Sequence, residues 1–455
     1  MPSDKPIESV PAADALANAQ KNEHRRYPRP DPKDDRLFPL AQPENQPSFK
    51  INKNDTIFAI GSCFARSIEG AMEDVGFSVL SRSADLGEIG KSAGWTGNFF
   101  NKYSIHSILN ELTWSLNRDT FPGEKIIYRL KDHEYIDLQL GLGKLDHTLD
   151  TILDFRTKYL DYFKQIIQAD VIVLTLGYVE TWFDKALGIY LNTAPPAKLV
   201  KDNPDRFEFR VLSYQDVMDG LKSVYDLLNQ HRSKPMRMLI TVSPVPLAST
   251  FRDMDVLVAN SYSKSVQRAA IDQFVLETDG VDYFPSYETV VLSDPKLAWT
   301  REDYRHVSHD LVVKIMGQVL SSYTDTDLTT IAGGTGDVNK TQLLANARMM
   351  KQLGKWQDLY ALLSQHDDVV QTNADLLVTL SSYHRQKKEF EAAFECLERA
   401  KNLEPRERAI LERMIKLTRP LGQMDKAKTL LKEHAHRFPV RHEDFKKKLD
   451  WLKDV

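Results

Sequence analysis

Cysteine, long apolar runs and an excess of either charge are all scarce in this chain. Its 455 residues include two cysteines, Cys63 and Cys396, whose separation argues against a disulfide framework or a cysteine-rich zinc site. The longest apolar runs have only the length of a strand, which argues against a membrane span. The N-terminal residues lack the apolar segment of a standard signal peptide. We therefore expect a cytoplasmic protein.

Charge and histidine patterns argue against further classes. The formal net charge is −4 at pH 7, so neither nucleic acid nor an anionic membrane surface is expected as the main partner. The twelve histidines are scattered, without the paired spacing of zinc ligands. No dinucleotide fingerprint follows the first predicted strand. The sequence therefore predicts neither a metal site nor a cofactor.

Composition divides the chain into four parts, as its length suggests for more than one core. Residues 1–50 hold nine prolines and many charges, which predicts an N-terminal extension that is poorly ordered or wrapped along the surface. Residues 51–330 alternate between strand and helix patterns. Residues 331–340 are glycine-rich and are predicted to form a linker. Residues 341–455 are predicted to be helical.

The second part predicts an α/β fold in which helices cover both faces of a parallel sheet. Its strand candidates are Thr56–Ile60, Phe77–Leu80, Val171–Leu176, Met238–Val242 and Val281–Phe284. Its helix candidates are Ile105–Leu116, Ile152–Ile167, Tyr214–Asn229, Val256–Leu276 and Asp310–Ser322. Ligands of such sheets bind at the carboxyl ends of the strands. The loops at these ends are therefore the candidate site.

The stretch Thr56–Phe77 organises this domain. A β-branched and aromatic run breaks at Gly61, places Ser62 at the break and continues as an amphipathic helix. A sharp strand-to-helix turn points the N–H groups of the new helix at its first residues, which suits a nucleophile that attacks an acyl carbon. Ser62 can equally be an ordinary helix cap. Cys63 is an alternative nucleophile or a small buried residue.

A base and an acid for such a serine occur late in the domain. Asp303 and His306 lie three residues apart, directly before the last predicted helix. On a turn, this spacing lets the carboxylate reach the imidazole and orient it. Alternatively, Asp303 caps the helix and His306 lies on the surface, and His309 is a rival base.

Four blocks in order, IGSCFA, LGYVETWFD, TVSPVPL and EDYRHVS, resemble the GSCFA family, a branch similar to the SGNH/GDSL hydrolases. The resemblance covers about Thr56 to Tyr323. It implies a three-layer flavodoxin-like fold and activity on ester bonds, often acyl groups on carbohydrate, as an esterase or acyltransferase. It also implies that Ser62 is the nucleophile, His306 the general base and Asp303 its orienting acid.

The oxyanion hole is where the sequence departs from the SGNH pattern. Val179 occupies the position of the usual asparagine donor in the Gly177–Glu180 block, and one lost donor costs about two to three orders of magnitude in turnover. The candidate oxyanion or substrate residues are Cys63, Gly97, Asn98, Gly177 and Glu180. Glu180 can bind substrate hydroxyls or serve as a salt-bridging residue at the strand end.

The C-terminal part repeats with a period of 34 residues. Gly354-Lys355-Trp356, Lys388-Glu389-Phe390 and Gly422-Gln423-Met424 recur at that spacing, which is typical of tetratricopeptide repeats. Stacked helical hairpins of this kind form a concave surface for a protein partner. We expect residues 341–455 to bind such a partner or to pack against the first domain.

The leading hypothesis from the sequence is a serine esterase or O-acyltransferase. Its substrate would be an acylated carbohydrate or a small-molecule ester, with Ser62, His306 and Asp303 as the catalytic residues. Two alternatives stay open at this point. One is a catalytically weak saccharide-binding module, which Val179 motivates, and the other is a scaffold protein whose main function lies in the repeats.

Overall fold

A computed structural model describes most of the chain as two compact units. The described residues are 6–31, 35–82, 86, 89, 99–132, 134–140, 145, 147–300, 303–324, 333–334, 337–338 and 340–452. The larger unit comprises Met1–Glu73 and Phe77–Thr326, and the smaller one comprises Asp74–Gly76 and Asp327–Val455. Among the described residues, none of the helices combines the length and apolarity needed to cross a membrane.

The strands follow the chain in this order: β1 Thr56–Gly61, β2 Ser78–Val79, β3 Ile127–Lys131, β4 Glu134–Asp137, β5 Val171–Leu176, β6 Glu180–Asp184, β7 Ile189–Leu191, β8 Phe207–Val211, β9 Met238–Val242, β10 Val281–Tyr283, β11 Gly333–Gly334 and β12 Asp337–Val338. Five of them form the central sheet in the order β10-β9-β5-β1-β2, and every pair in it is parallel. This confirms the predicted α/β fold with a parallel sheet.

Strand β5 lies at the centre of that sheet, between β1 and β9. All six of its residues are buried, because a run of apolar and β-branched side chains suits a strand covered on both faces. Its register pairs Thr175 with Gly61 on one side and with Thr241 on the other. This register brings the loops after β1, β5 and β9 to one edge of the sheet.

The helices of the larger unit are Ala12–Lys21, Cys63–Asp74, Ile105–Leu116, Leu149–Phe163, Ala197–Asp202, Tyr214–His231, Val256–Glu277, Ser286–Val291, Pro295–Ala298 and His309–Tyr323. The longer ones begin at side-chain caps: Ser104 and Ser213 each form a capping box, and Asp255 and Ser308 accept from backbone N–H groups of the first turn. These helices overlap the candidates found from the sequence.

Two antiparallel sheets of the larger unit were not predicted. Strands β3 and β4 form a hairpin, and β6 pairs with both β7 and β8 in a three-stranded sheet. Strand β6 begins at Glu180, four residues after β5 ends. The predicted loop after β5 is therefore short, and its second half is a strand that extends beyond the edge of the central sheet.

The residues that lead into β1 lie along the larger unit. The backbone N–H of Ala41 donates to Ser293 Oγ at 2.9 Å, and that of Ser48 donates to Asp282 Oδ2 at 2.8 Å. Helix Ala12–Lys21, further upstream, buries none of its side chains. These two bonds hold residues 41–48 against the rest of the unit.

The smaller unit is helical: Lys340–Gln352, Trp356–Gln365, Asp367–Val370, Ala374–Gln386, Phe390–Leu403, Arg408–Thr418, Met424–Arg437 and Pro439–Lys446. Gly354, Lys388 and Gly422, one in each predicted repeat, have positive φ angles of 71°, 63° and 67°. The same left-handed turn therefore precedes a helix every 34 residues. The region is consistent with a helical repeat, and partner binding by it stays a prediction.

Candidate active site

The strand-to-helix turn after β1 depends on Gly61. Its φ angle is 132°, and a Cβ atom there would lie 2.0 Å from the carbonyl oxygen of Thr175. Only glycine fits both the conformation and the contact. The next N–H, that of Ser62, donates to the same Thr175 oxygen at 2.9 Å. The turn is thereby tied to the end of β5, and helix Cys63–Asp74 begins directly after it.

The Ser62 hydroxyl has two neighbours in this turn. Its Oγ lies 3.1 Å from Oγ1 of Thr175, and it accepts a hydrogen bond of 3.3 Å from the N–H of Phe64. The residue is only 2% exposed. Ser62 therefore holds a local helix-start bond, as the capping alternative predicted, and also sits where the N-terminus of a helix can act on it.

The second half of the candidate site is the loop of Asp303 and His306. Nδ1 of His306 lies 2.6 Å from Oδ2 of Asp303, while Oδ1 accepts 2.8 Å hydrogen bonds from the N–H groups of Arg305 and His306. These bonds, led by those from the two backbone N–H groups, hold the pKa of Asp303 well below its usual value. A carboxylate in this state fixes the ring of His306 and leaves Nε2 for other partners.

The base of this loop is joined to the start of the last helix. Trp299 pairs with Val307 in an antiparallel bridge, and Ser308, the helix cap, donates its N–H to Ala298 at 2.8 Å. His309, the rival base, is the first residue of the helix. It therefore lies beyond the turn that joins Asp303 to His306.

Arg305 relates this loop to the turn at Ser62. Its guanidinium is close enough to Cys63 and Tyr103 to lower the pKa of each against the larger raising effect of burial. The His306 side chain is 63% exposed. Within the part of the chain that the structure describes, no hydrogen bond joins Ser62 to His306.

Cys63 is poorly suited to be the nucleophile. Burial raises the pKa of its thiol above the ordinary value, and the neighbouring cations Arg305, Lys264 and Arg66 oppose this shift only in part. A thiol attacks as the thiolate. At neutral pH this side chain is therefore a neutral thiol next to Ser62.

The loop after β5 is held against Tyr103. Gly177 approaches Tyr103 so closely that a Cβ atom would lie 2.8 Å from the Tyr103 carbonyl oxygen. That oxygen accepts hydrogen bonds from the N–H groups of Gly177 and Tyr178 at 3.0 and 3.1 Å. The rings of Tyr103 and Tyr178 stack at 5.3 Å. The Gly177 N–H is therefore already bonded and is not free for an oxyanion.

Val179 packs into the core and provides no side-chain donor. It is 1% exposed, and its N–H donates to Ser263 Oγ at 3.0 Å. The next residue, Glu180, accepts from Thr250 Oγ1 at 2.7 Å and from the Phe251 N–H at 3.2 Å. These two hydrogen bonds join Glu180 to the loop after β9. Two other candidates, Gly97 and Asn98, lie outside the described residues.

Lys264 is a residue of the site that the sequence did not suggest. Its Nζ, fully buried in helix Val256–Glu277, donates to the carbonyl oxygens of Gly177 at 2.6 Å and Val245 at 2.8 Å. Burial lowers its pKa to about 7. Lysine is ordinarily a surface residue, so the sequence carried no signal that this one ties the β5 and β9 loops together.

Thr175 is a second missed residue, although a signal existed. It is the one polar residue in the run Val-Ile-Val-Leu-Thr-Leu of β5, and its hydroxyl faces Ser62. A polar side chain in an otherwise apolar central strand needs a partner. That rule alone would have marked Thr175 as a neighbour of a functional loop.

The described residues contain no cluster of three or more histidine, cysteine, aspartate or glutamate side chains arranged to hold a metal ion. They do contain a buried serine at a helix start and, in a later loop, a paired aspartate and histidine. Serine, histidine and a carboxylate are the groups of acyl transfer.

Comparison with known proteins identifies a family but no individual relative. The model of the GSCFA family matches residues 56–319, more than half of the chain. No curated protein and no solved structure matches the sequence significantly. The match spans the central sheet, the turn at Ser62 and the Asp303–His306 loop. The chain belongs to the GSCFA family.

Proposed function

We propose that this protein is a serine esterase or O-acyltransferase that uses Ser62 as nucleophile, His306 as general base and Asp303 as the orienting acid. The observation that carries the proposal is the 2.6 Å contact between His306 Nδ1 and Asp303 Oδ2. It holds the imidazole through Nδ1 and leaves Nε2 available to accept a proton. This is the orientation that a general base requires.

The proposed chemistry has two halves. Ser62 Oγ attacks the acyl carbon, its proton passes to His306 Nε2, and the carbonyl oxygen takes the negative charge. When the carbonyl reforms, the alcohol leaves with the proton from His306, and the acyl group stays on Ser62. Water in an esterase, or an acceptor hydroxyl in a transferase, then gives its proton to His306 and removes the acyl group.

The oxyanion would depend on backbone donors. The first N–H groups of helix Cys63–Asp74 have no acceptor within the helix, and the helix dipole favours negative charge at this end. The N–H of Cys63 is the donor adjacent to the nucleophile. Because Val179 supplies none, turnover below that of an SGNH enzyme with the asparagine donor is expected.

For the alcohol part of the substrate we propose a saccharide. This part rests on the resemblance of the sequence blocks alone. The acyl part is the one for which the structure offers more specific evidence.

A second candidate, a saccharide-binding module with little turnover, is favoured by one observation. The Ser62 hydroxyl is buried and within 3.1 Å of Thr175 Oγ1, and its rotation toward His306 is required before it can react. In the first candidate, the substrate triggers this rotation. In the second, the bond to Thr175 persists in the complex.

An esterase assay separates the two. The full chain, its Ser62→Ala variant and its Ser213→Ala variant are incubated with 4-nitrophenyl acetate and with a panel of O-acetylated monosaccharides. Ser213 is a matched serine at the start of another helix, far along the chain from the site. The proposal expects release of product by wild type and Ser213→Ala and a loss of at least about 10³-fold in Ser62→Ala. Equal rates in all three proteins would reject it.

A further inference from the structure

A cavity of about 130 Å³ opens beside the candidate active site. We call it the side pocket. It lies between β6, the segment that follows β7 and the loop after β9. Its walls include Tyr178, Trp182, Leu191, Ala194, Leu247 and Phe251. Most of this surface is carbon, which predicts an apolar ligand group.

The carboxylate in the side pocket is already bonded. Glu180, which is 6% exposed, accepts from the Thr250 hydroxyl through Oε1 and from the Phe251 N–H through Oε2. Both bonds hold the wall itself. The first role of Glu180 is therefore to fix the wall of the pocket.

The same holds for the other polar side chains deep in the wall. The hydroxyls of Thr181 and Thr193 donate to backbone carbonyls at 3.1 and 3.2 Å. Asn192 uses both ends of its amide: the oxygen accepts from the Tyr103 N–H at 2.9 Å, and the nitrogen donates to the Asn101 carbonyl at 2.9 Å. These hydrogen bonds fix the side chains in the wall of the pocket.

One buried donor remains. The indole Nε1 of Trp182 is buried and has no hydrogen-bond partner among the described residues. The ring is fixed by edge-to-face contact with Phe251 at 5.1 Å and by Phe209 at 5.6 Å. Because this N–H is itself buried, it is not exposed to the open space of the pocket. Trp182 therefore contributes a fixed aromatic surface to the wall of the side pocket.

The side pocket adjoins Ser62 through Tyr178. This residue follows β5 by two positions, and its ring forms part of the pocket wall and stacks on Tyr103. The carbonyl oxygen of Gly61 accepts a 2.6 Å hydrogen bond from the Lys102 N–H, so Tyr103, the next residue, lies beside the turn that holds Ser62. The stacked rings of Tyr103 and Tyr178 therefore link this turn to the pocket.

We propose that the side pocket binds the acyl chain of the ester, and that the preferred chain is a saturated acyl group of roughly four to six carbons. This rests on the proposed function, because it takes Ser62 as the atom that receives the acyl group. A dry apolar cavity of about 150 Å³ accommodates benzene. An acetyl group would leave most of 130 Å³ unfilled, and a ten-carbon chain would exceed it.

The test measures chain-length preference. The full chain hydrolyses 4-nitrophenyl acetate, butanoate, hexanoate and decanoate, and kcat/KM is compared. Each buried methylene is worth roughly fourfold, so butanoate, with two more methylenes, is expected to exceed acetate by about 16-fold and decanoate to fall below hexanoate. Ala194→Trp fills the pocket and removes this preference. Ala186→Trp, at an exposed turn outside the pocket, leaves the profile unchanged.

A measurement without turnover keeps this inference separate from the proposed function. Saturation-transfer NMR with hexanamide, and with acetamide as control, is recorded on Ser62→Ala and on the same variant with Ala194→Trp. Transfer to hexanamide that Ala194→Trp abolishes supports the pocket even if wild type hydrolyses no ester. A flat chain-length profile in an active enzyme, or hexanamide transfer unaffected by Ala194→Trp, overturns it. Stronger transfer to D-glucose than to hexanamide also overturns it.

Discussion

Nδ1 of His306 and Oδ2 of Asp303 lie 2.6 Å apart, and the other oxygen of the same carboxylate accepts both backbone N–H groups of the turn. One carboxylate therefore shapes the loop and orients the ring. Because it accepts three hydrogen bonds, the pKa of Asp303 is lowered. Asp303 stays ionised throughout the neutral range, so it adds no pH dependence to activity there.

Replacing Asp303 by asparagine is expected to keep the turn and to lose the orientation. The oxygen of the new amide can still accept the backbone N–H groups, but its nitrogen would present hydrogens to Nδ1 and favour the wrong tautomer of His306. We expect kcat/KM for 4-nitrophenyl butanoate at pH 7.5 to fall by about 10³-fold or more. Asp310→Asn, an exposed aspartate in the next helix turn, is the control. A similar small loss in both variants would contradict an orienting role.

The close approach of Gly61 to Thr175 predicts a large loss of stability for Gly61→Ala. The new Cβ would lie 2.0 Å from a carbonyl oxygen of the central strand, at a φ of 132°. We expect the free energy of unfolding to fall by more than about 3 kcal/mol. Gly188→Ala is the control, since Gly188 has a φ of 69° and nothing within 4 Å, and it should cost about 1 to 2 kcal/mol. Urea denaturation measures both, and equal losses would argue against a tight turn.

The lowered pKa of Lys264 predicts that the free energy of unfolding increases as the pH rises above neutral. Its pKa is about 7 in the folded protein and 10.5 ordinarily, so between these values the unfolded chain binds more protons and the folded state gains stability as pH rises. The contribution is complete above pH 10.5 and is lost as pH falls through 7. Relative to Lys264→Met, wild type should gain up to about 1.4 kcal/mol per pH unit between pH 7.5 and 9.5.

Urea denaturation at several pH values measures this difference. Lys198→Met is the control, because the Lys198 side chain is 61% exposed, and its difference from wild type should not change with pH. A difference between wild type and Lys264→Met that stays constant over the same range would show that Lys264 is charged in the folded protein.

A cluster of buried charged side chains stabilises the larger unit. Glu111 contacts Lys102 at 3.1 Å and Arg156 at 2.9 Å, and all three side chains are 0% exposed. Glu111→Gln leaves two buried cations with less compensation, so we expect a loss of about 3 to 5 kcal/mol in unfolding free energy. Asp154→Asn breaks an exposed pair with Lys158 and should cost at most about 0.5 kcal/mol. Comparable losses would indicate that water reaches the cluster.

Much of the fold was predictable from local pattern. The run Val171–Leu176 specifies a central strand because six successive apolar or β-branched residues suit burial on both faces, and the strand has these bounds in the structure. The second sheet was missed for a physical reason. Strands β6 and β7 have five and three residues, and their partners are set by tertiary packing that short segments do not encode.

Part of the candidate site was also predictable from local pattern, and part was not. The contact of Asp303 with His306 follows from a spacing of three residues on a turn and was predicted. The bonds of Lys264 to Gly177 and Val245 join three elements that are distant in sequence, so local pattern could not reveal them. The roles of Ser62, His306 and Asp303 in catalysis stay predictions until they are measured.

Fluorophosphonate labelling with mapping of the modified residue tests the central claim most directly. Wild type, Ser62→Ala and His306→Ala are treated with a fluorophosphonate probe, digested and analysed by mass spectrometry. The account predicts one adduct, on Ser62 of wild type, which Ser62→Ala lacks and His306→Ala forms at least about 100-fold more slowly. An adduct on another residue, equal labelling of Ser62→Ala, or no labelling of folded wild type would contradict it.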